Sequence, residues 1–157
     1  MTNTFIFDEN VIQIGLNANE SNPSSIETVL ILEVLRNPHR IALSIEIYNE
    51  KYASKLSVLQ REFPSLAKLF SQALWDAEKA VLVEDVGVLP YEIEIQIRDA
   101  PDLPFVRLAV KVDDGCILAT TDQALREDVT RLNLPLQYNF RILPPDRALR
   151  FAGPEES

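Results

Sequence analysis

The chain has 157 residues, 46% hydrophobic and 25% charged, a composition typical of one globular domain with a single core. Acidic residues outnumber lysine and arginine by 24 to 15, so the formal charge is −9 and the average surface repels phosphate backbones. No secretory signal and no apolar stretch of roughly 20 residues is found, so we expect a cytoplasmic protein without membrane contact. One cysteine and one histidine exclude an internal disulfide and a His/Cys zinc site.

The first part of the chain predicts a strand, a helix and a second strand. The stretch "TNTFIFD" alternates loosely, is rich in Phe and Ile, and ends at Asp8. Apolar residues then recur at helical spacing over residues 26 to 36, with Ser24 or Ser25 as the N-cap. The apolar run "RIALS", residues 40 to 44, predicts the next strand.

Helical patterns dominate the middle of the chain. "IEIYNEKYASKLSVLQREF" predicts a long helix after Ser44, and "PSLAKLFSQALWDAEKA" predicts another that begins at Pro64 and uses Trp75 for packing. "VLVEDV" is a short apolar run without a clear assignment. "YEIEIQIR" alternates apolar and polar residues over eight positions, which predicts an edge strand.

The last part predicts a helix from about Asp102, a buried strand at "CILATT", a helix at "DQALREDVTRL" and a final strand at "NFRILP". We expect residues 1–150 to form one domain and residues 151–157 to be a disordered tail. Strands that alternate with helices predict an α/β fold, with a mostly parallel sheet of four to five strands and helices on both faces.

Four acids follow predicted strands, on the side where open parallel sheets bind their ligands. Asp8 and Asp122 each end a strand, Asp102 opens a helix, and Glu50 lies about two turns into the helix after "RIALS". Singly, Asp102 and Asp122 could be helix caps, Asp8 a turn residue and Glu50 part of a solvated helix face. Carboxylates that converge repel each other unless a divalent cation holds them, and oxygen ligands suit Mg²⁺ or Mn²⁺.

The same segments resemble the PIN domain, a nuclease family with a central parallel sheet and an acidic metal site. "FIFDENVI" is similar to the family's D-x-N-V, "SIEIYNE" to S-x-E-I-x-x-E, "RDAPD" to R-D-P-x-D, and "TTDQAL" to T-x-D before a hydrophobic helix. The resemblance implies a three-layer α/β/α fold in which the first and fourth strands are neighbours. It assigns Mg²⁺ or Mn²⁺ to four acids, which are Asp8, Glu50, Asp102 and Asp122, with Asn10, Thr120 and Thr121 as polar supports.

The resemblance also implies an activity and partners. We expect a metal-dependent endoribonuclease of the VapC-like kind, the toxin of a bacterial toxin-antitoxin pair, with an RNA substrate, an antitoxin that covers the site, and a homodimer. Positive side chains on the two helices that start at the site are candidate phosphate contacts. They are Arg107, Lys111, Arg126 and Arg131.

Two other functional readings remain open at the level of sequence. Glu9 beside the site and the strong net acidity favour a PIN-like module that no longer cleaves and acts only in protein interactions. A doubly wound phosphatase or receiver domain is the other reading. It fits less well, because Asn10 stands where the phosphatase pattern has a second aspartate and no Gly-rich phosphate loop occurs.

Overall fold

A five-stranded, fully parallel sheet forms the centre of the protein in the computed structural model, which describes residues 2–21, 25–62 and 64–154. The strands are β1 (Thr4–Phe7), β2 (Arg40–Leu43), β3 (Ala80–Leu82), β4 (Ile117–Ala119) and β5 (Arg141–Leu143). Their spatial order is β3-β2-β1-β4-β5. Helices flank the sheet, so the predicted three-layer α/β/α fold is confirmed.

Helices make the connections between the strands. They are α1 (Glu9–Ser21), α2 (Ile26–Arg36), α3 (Ile45–Ile47), α4 (Ala53–Glu62), α5 (Pro64–Ala73), α6 (Tyr91–Glu94), α7 (Leu103–Lys111), α8 (Gln123–Arg131), α9 (Leu134–Tyr138) and α10 (Pro145–Ala148). A π-helical turn, Tyr48–Tyr52, joins α3 to α4, and 3-10 turns occur at Ala100–Asp102 and Leu149–Phe151. None of the helices in the described ranges is both long and apolar enough to cross a bilayer.

Serine caps set the starts of two helices where the sequence predicts them. Ser25 Oγ accepts a hydrogen bond from the Thr28 amide at 3.2 Å, and α2 covers the predicted residues 26 to 36. Ser24, the alternative cap, lies outside the described residues. Ser44 Oγ accepts from the Ile47 amide at 3.1 Å, so the chain turns from β2 directly into a helix.

The core is tied to the end of β1 by buried aromatic rings. Phe70 lies 6.1 Å from Phe7 and 6.2 Å from Tyr52, and the Tyr52 and Phe105 centroids are 6.4 Å apart. Tyr52 is fully buried, and its hydroxyl donates a hydrogen bond to the Phe7 carbonyl. Each such ring stabilises the fold by roughly 1.5–3 kcal/mol through burial. Through Tyr52, these contacts also hold the π-helical turn against the end of β1, the strand that leads into the candidate site.

The prediction of an edge strand at "YEIEIQIR" is wrong. Tyr91–Glu94 form α6, which follows Pro90 and has Glu92 and Glu94 in its first turn, where carboxylates favour a helix N-terminus. The third strand is instead Ala80–Leu82, in the run that the sequence left unassigned, and it pairs with β2. The alternation of apolar residues therefore did not decide this segment, which forms a helix although β3 and β5 each present a free edge.

Three further features differ from the sequence analysis or add to it. No element was predicted for residues 9 to 21, which form α1. Trp75 packs edge-on against the Tyr48 ring, as a packing residue should, but it does so at the surface, where it is 69% exposed. The segment after residue 150 is not disordered throughout, because Ala152 is buried and the Gly153 carbonyl lies 2.7 Å from Nε2 of the buried His39. Residues 155–157 of the predicted tail lie outside the described residues.

Candidate metal centre

The candidate site lies where the strand order reverses. β1 pairs with β4, with Phe7 opposite Ala119, so the prediction that the first and fourth strands are neighbours is confirmed. From β1 the chain proceeds outward through β2 and β3, and then returns to β4 and β5 on the other side. The residues that follow the two central strands, Asp8 and Thr120, therefore meet at the switch point of the sheet, which is where doubly wound folds bind ligands.

Thr120 links Asp8 to Asp122 by hydrogen bonds. Its hydroxyl donates a hydrogen bond to Asp8 Oδ2 and accepts one from the Asp122 amide at 3.1 Å. Asp8 Oδ1 accepts from the Val11 amide at 2.8 Å, so Asp8 also caps α1. A carboxylate offers about four lone-pair sites, so these two hydrogen bonds do not use the full acceptor capacity of Asp8.

Burial makes Asp8 costly to ionise. It raises the pKa of Asp8, hydrogen bonds from Thr120 and Val11 act in the opposite direction, and the charges of Asp122 and Glu9 raise the pKa again. Asp8 is 1% exposed. A buried carboxylate surrounded by other acids is an environment that an added cation would stabilise.

Three carboxylates converge next to Asp8, and we call them the acidic cluster: Asp99, Asp102 and Asp122. One oxygen from each lies within 4.8 Å of the others, and among the described residues this is the one group of three or more acids with metal-ligand spacing. Asp99 and Asp102 are three positions apart around a 3-10 turn, whose threefold repeat puts both side chains on one side. Asp122 reaches the same point from the start of α8.

The three members differ in what holds them. Asp122 Oδ1 accepts a hydrogen bond from the Leu125 amide at 3.0 Å, so Asp122 is the N-cap of α8. A helix cap was one of the two roles that the sequence left open for Asp122. Asp102 precedes α7 but makes no capping bond and is buried. The cap interpretation therefore accounts for Asp122 and not for Asp102.

Crowding of the carboxylates favours the protonated form of one member of the acidic cluster. The hydrogen bond to Asp122 raises the pKa of Asp99 to about 7, with burial and the charge of Asp102 adding to the effect. The same hydrogen bond lowers the pKa of Asp122, while burial raises the pKa of Asp102 and the charge of Asp8 adds to it. A divalent cation that replaced this proton would relieve the repulsion among all four aspartates.

Glu50 does not join the converging acids, contrary to the sequence prediction. It lies in the π-helical turn, is exposed, and is not a member of the acidic cluster. Its neighbour Lys51 is closer to the site, since the charge of Lys51 lowers the pKa of Asp102. The apolar spacing of this segment predicted a regular α-helix and not a π-helical turn. The i→i+5 hydrogen bonds of a π-helix rotate side chains relative to their positions in an α-helix.

Asp99 is the site residue that sequence reasoning missed. It stands in the quoted "RDAPD" segment, and its spacing from Asp102 was visible in the sequence. The predicted edge strand ends at Arg98 and the predicted helix begins at about Asp102, so Asp99 fell between two elements, and the motif resemblance assigns only Asp102 to the metal. The two other predicted supports have less buried positions than Thr120. Asn10 is exposed in the first turn of α1, and Thr121 is half-buried.

The four predicted phosphate contacts have different surroundings. Arg107 forms two 2.7 Å hydrogen bonds to the Glu94 carboxylate, so its guanidinium is committed to an internal ion pair. Lys111 is exposed in the last turn of α7, roughly 13.5 Å along the helix from Asp102, and does not line the groove that Arg126 and Arg131 border. Arg126 and Arg131, on α8, border a groove beside the site.

Comparison with known proteins identifies no relative of this chain. No protein-family model matches the chain, and no curated protein matches it. What bears on function is therefore the donor set itself. Carboxylate oxygens without sulfur or imidazole are the ligands that Mg²⁺ and Mn²⁺ prefer, and their close approach fits such an ion.

Proposed function

We propose that the chain is a metal-dependent endoribonuclease of the PIN domain kind, the toxin of a toxin-antitoxin pair. The observation that supports this most is the convergence of Asp99, Asp102 and Asp122 at the switch point of a parallel sheet, next to the buried Asp8. The motifs around Asp8, Asp102 and Asp122 are those that resemble the family.

The acidic cluster and Asp8 would hold Mg²⁺ or Mn²⁺. Such an ion lowers the pKa of a bound water and stabilises charge on a phosphodiester, and cleavage would leave a 5′-phosphate and a 3′-hydroxyl. Thr120 orients Asp8 through its hydroxyl, and the α8 amides orient Asp122. Lys51, which acts on Asp102 through its charge, offsets part of the negative field at the site.

The proposed activity implies partners and a location. An RNA substrate and a protein antitoxin that covers the site follow from the toxin assignment, and a homodimer is the expected assembly. A toxin that cleaves cellular RNA acts in the cytoplasm.

The exposed position of Glu50 favours one other candidate, a PIN-like interaction module that does not cleave. Without Glu50, the cluster lacks one of the four ligands that the resemblance assigns. The net charge of −9 also works against the approach of RNA. In this case the acidic cluster keeps its proton and binds no divalent ion.

Calorimetric titration of Mn²⁺ distinguishes the two candidates. Asp102→Asn is the best variant, because Asp102 makes no capping bond and its replacement by a neutral isostere should leave the fold intact. Asp113→Asn, an exposed aspartate outside the cluster, is the matched control. Each protein is then incubated with a labelled structured RNA and the products are resolved on a gel.

We expect wild type and Asp113→Asn to bind Mn²⁺ and cleave the RNA, and Asp102→Asn to lose both while keeping its circular dichroism spectrum. Cleavage that persists in Asp102→Asn would refute the proposed site. Absence of Mn²⁺ binding to the wild type would refute the nuclease and support the interaction module.

A further inference from the structure

A positively charged groove lies beside the acidic cluster of this strongly acidic protein. It encloses about 1060 Å³ between α8 and the β5–α10 segment. Its lining includes Arg98, Arg126, Arg131 and Arg147, against the carboxylates of Glu127 and Asp128, which leaves two net positive charges. A local excess of this sign in a chain with a formal charge of −9 selects anionic partners.

The groove and the acidic cluster are adjacent. Arg126 donates from Nη1 to the Thr120 carbonyl at 2.9 Å, and its charge contributes to the lowered pKa of Asp122. Gln123 follows Asp122 in sequence and lines the groove, and Arg98 precedes Asp99. An anionic chain held in the groove would therefore run directly up to the carboxylates.

A buried aspartate orients two of the arginines. Asp128 is 3% exposed at its side chain and accepts hydrogen bonds from Arg98 Nε at 3.1 Å and from Arg131 Nη2 at 3.0 Å. Both arginine side chains remain more than half exposed. A guanidinium has five N–H donors, so each keeps donors for a ligand after binding Asp128. Fixed guanidinium forks are suited to phosphate oxygens.

We propose that this groove binds the backbone of a single-stranded RNA segment that flanks the cleaved phosphodiester, an inference that rests on the nuclease proposed above. A duplex would press its second charged backbone against the acidic remainder of the surface. An acidic peptide fits the groove less well, because its carboxylates would be repelled by the neighbouring acidic cluster, whereas a phosphodiester is bridged to that cluster by the divalent ion. The arginines bind phosphates and therefore set affinity without reading base sequence.

The test measures the fluorescence anisotropy of a labelled oligouridine in EDTA, so that binding is separated from cleavage. Arg147→Ala is the first variant, since Arg147 is exposed on the groove wall and its side chain has no hydrogen bond in the described structure. Lys111→Ala removes an equal charge far from the groove and is the control. Arg131→Ala is the second variant, chosen on the other wall.

Each groove variant should weaken binding and lower the slope of log affinity against log salt by about 0.7, the value for one phosphate of a single strand. Lys111→Ala should bind like the wild type. An unchanged slope in both groove variants, or a wild type that does not bind oligouridine, would overturn the proposal. The same anisotropy measurement with Ca²⁺ in place of EDTA compares the two ligands with a divalent ion present, and equal or tighter binding of a glutamate-rich peptide of the same net charge would overturn the choice of RNA.

Hydrolysis of bis(p-nitrophenyl) phosphate with Mn²⁺ separates this inference from the proposed nuclease. This diester is too small to extend along the groove, so Arg147→Ala should hydrolyse it at the wild-type rate while its RNA cleavage falls. If the wild type hydrolyses the small diester and Arg147→Ala still cleaves RNA normally, the groove proposal fails and the nuclease stands. If neither substrate is cleaved but the salt slopes differ as expected, the nuclease fails and the groove still binds RNA.

Discussion

Replacing Asp128 by asparagine removes the buried charge to which Arg98 and Arg131 are bound, at nearly constant volume. Asp128 accepts from the Arg98 amide at 2.9 Å, from Arg98 Nε at 3.1 Å and from Arg131 Nη2 at 3.0 Å. Hydrogen bonds to a charged group contribute roughly 1.5–3 kcal/mol each when buried. Both arginine side chains are more than half exposed, so solvent screening reduces the contribution of their hydrogen bonds to stability.

We therefore expect Asp128→Asn to lower the free energy of unfolding by about 1–2 kcal/mol near neutral pH, because the amide oxygen can still accept the Arg98 backbone bond. With a urea m-value of about 2 kcal/mol per M, the midpoint should fall by roughly 0.5–1 M. Equilibrium urea unfolding followed by circular dichroism measures this shift.

The cost should depend on pH, with a sign fixed by the pKa of Asp128. Hydrogen bonds from Arg98 lower this pKa in the folded protein, so the folded state binds fewer protons than the unfolded state. The stabilisation is complete above the pKa of the unfolded chain and is lost as the pH falls through the folded value. The difference between wild type and Asp128→Asn should thus shrink steadily below about pH 4.

Glu127→Gln is the matched control for this prediction. Glu127 also contacts Arg98, at 3.3 Å, but 56% of its side chain is exposed, and pairs of this kind contribute about 0–1 kcal/mol. An equal loss of stability in both variants, or a cost of Asp128→Asn that does not change with pH, would refute the reasoning that burial of the carboxylate decides the effect.

Two more predictions concern the packing that supports the site. Tyr52→Phe should cost about 1 kcal/mol in urea unfolding, because it removes the buried hydroxyl that bonds the end of β1; Tyr48→Phe, on a partly exposed ring, should cost less, and equal costs would contradict this view. Gly15→Ala should destabilise by roughly 1–3 kcal/mol, because the added Cβ would lie 2.5 Å from Ile31 Cδ1 where α1 packs on α2. Gly153→Ala meets nothing within 4 Å and should unfold with the wild-type midpoint, so a similar loss in both would exclude steric contact as the cause.

Local patterns in the sequence were sufficient for most of the fold. The apolar run at β4, the helical spacing of residues 26 to 36 and the cap at Ser25 each depend on neighbours within a few residues, and each prediction is confirmed. The position of Asp122 at the end of a central strand follows from the same kind of information together with the topology of parallel sheets. Segments whose pattern depends on a partner strand were predicted less well, as the helix at Tyr91–Glu94 demonstrates.

Tertiary structure decided which charged groups meet. The sequence determined that acids follow the strands, but only the 3-10 turn brings Asp99 onto the same side as Asp102, and only the packing of the π-helical turn decides that Glu50 is exposed while Tyr52 is buried. The binding of Arg98 to Asp128 likewise joins residues 30 positions apart. Periodicity along the chain fixes which face of an element is buried. The distance between two side chains on different elements depends on how those elements pack, and one sequence does not contain that information in local form.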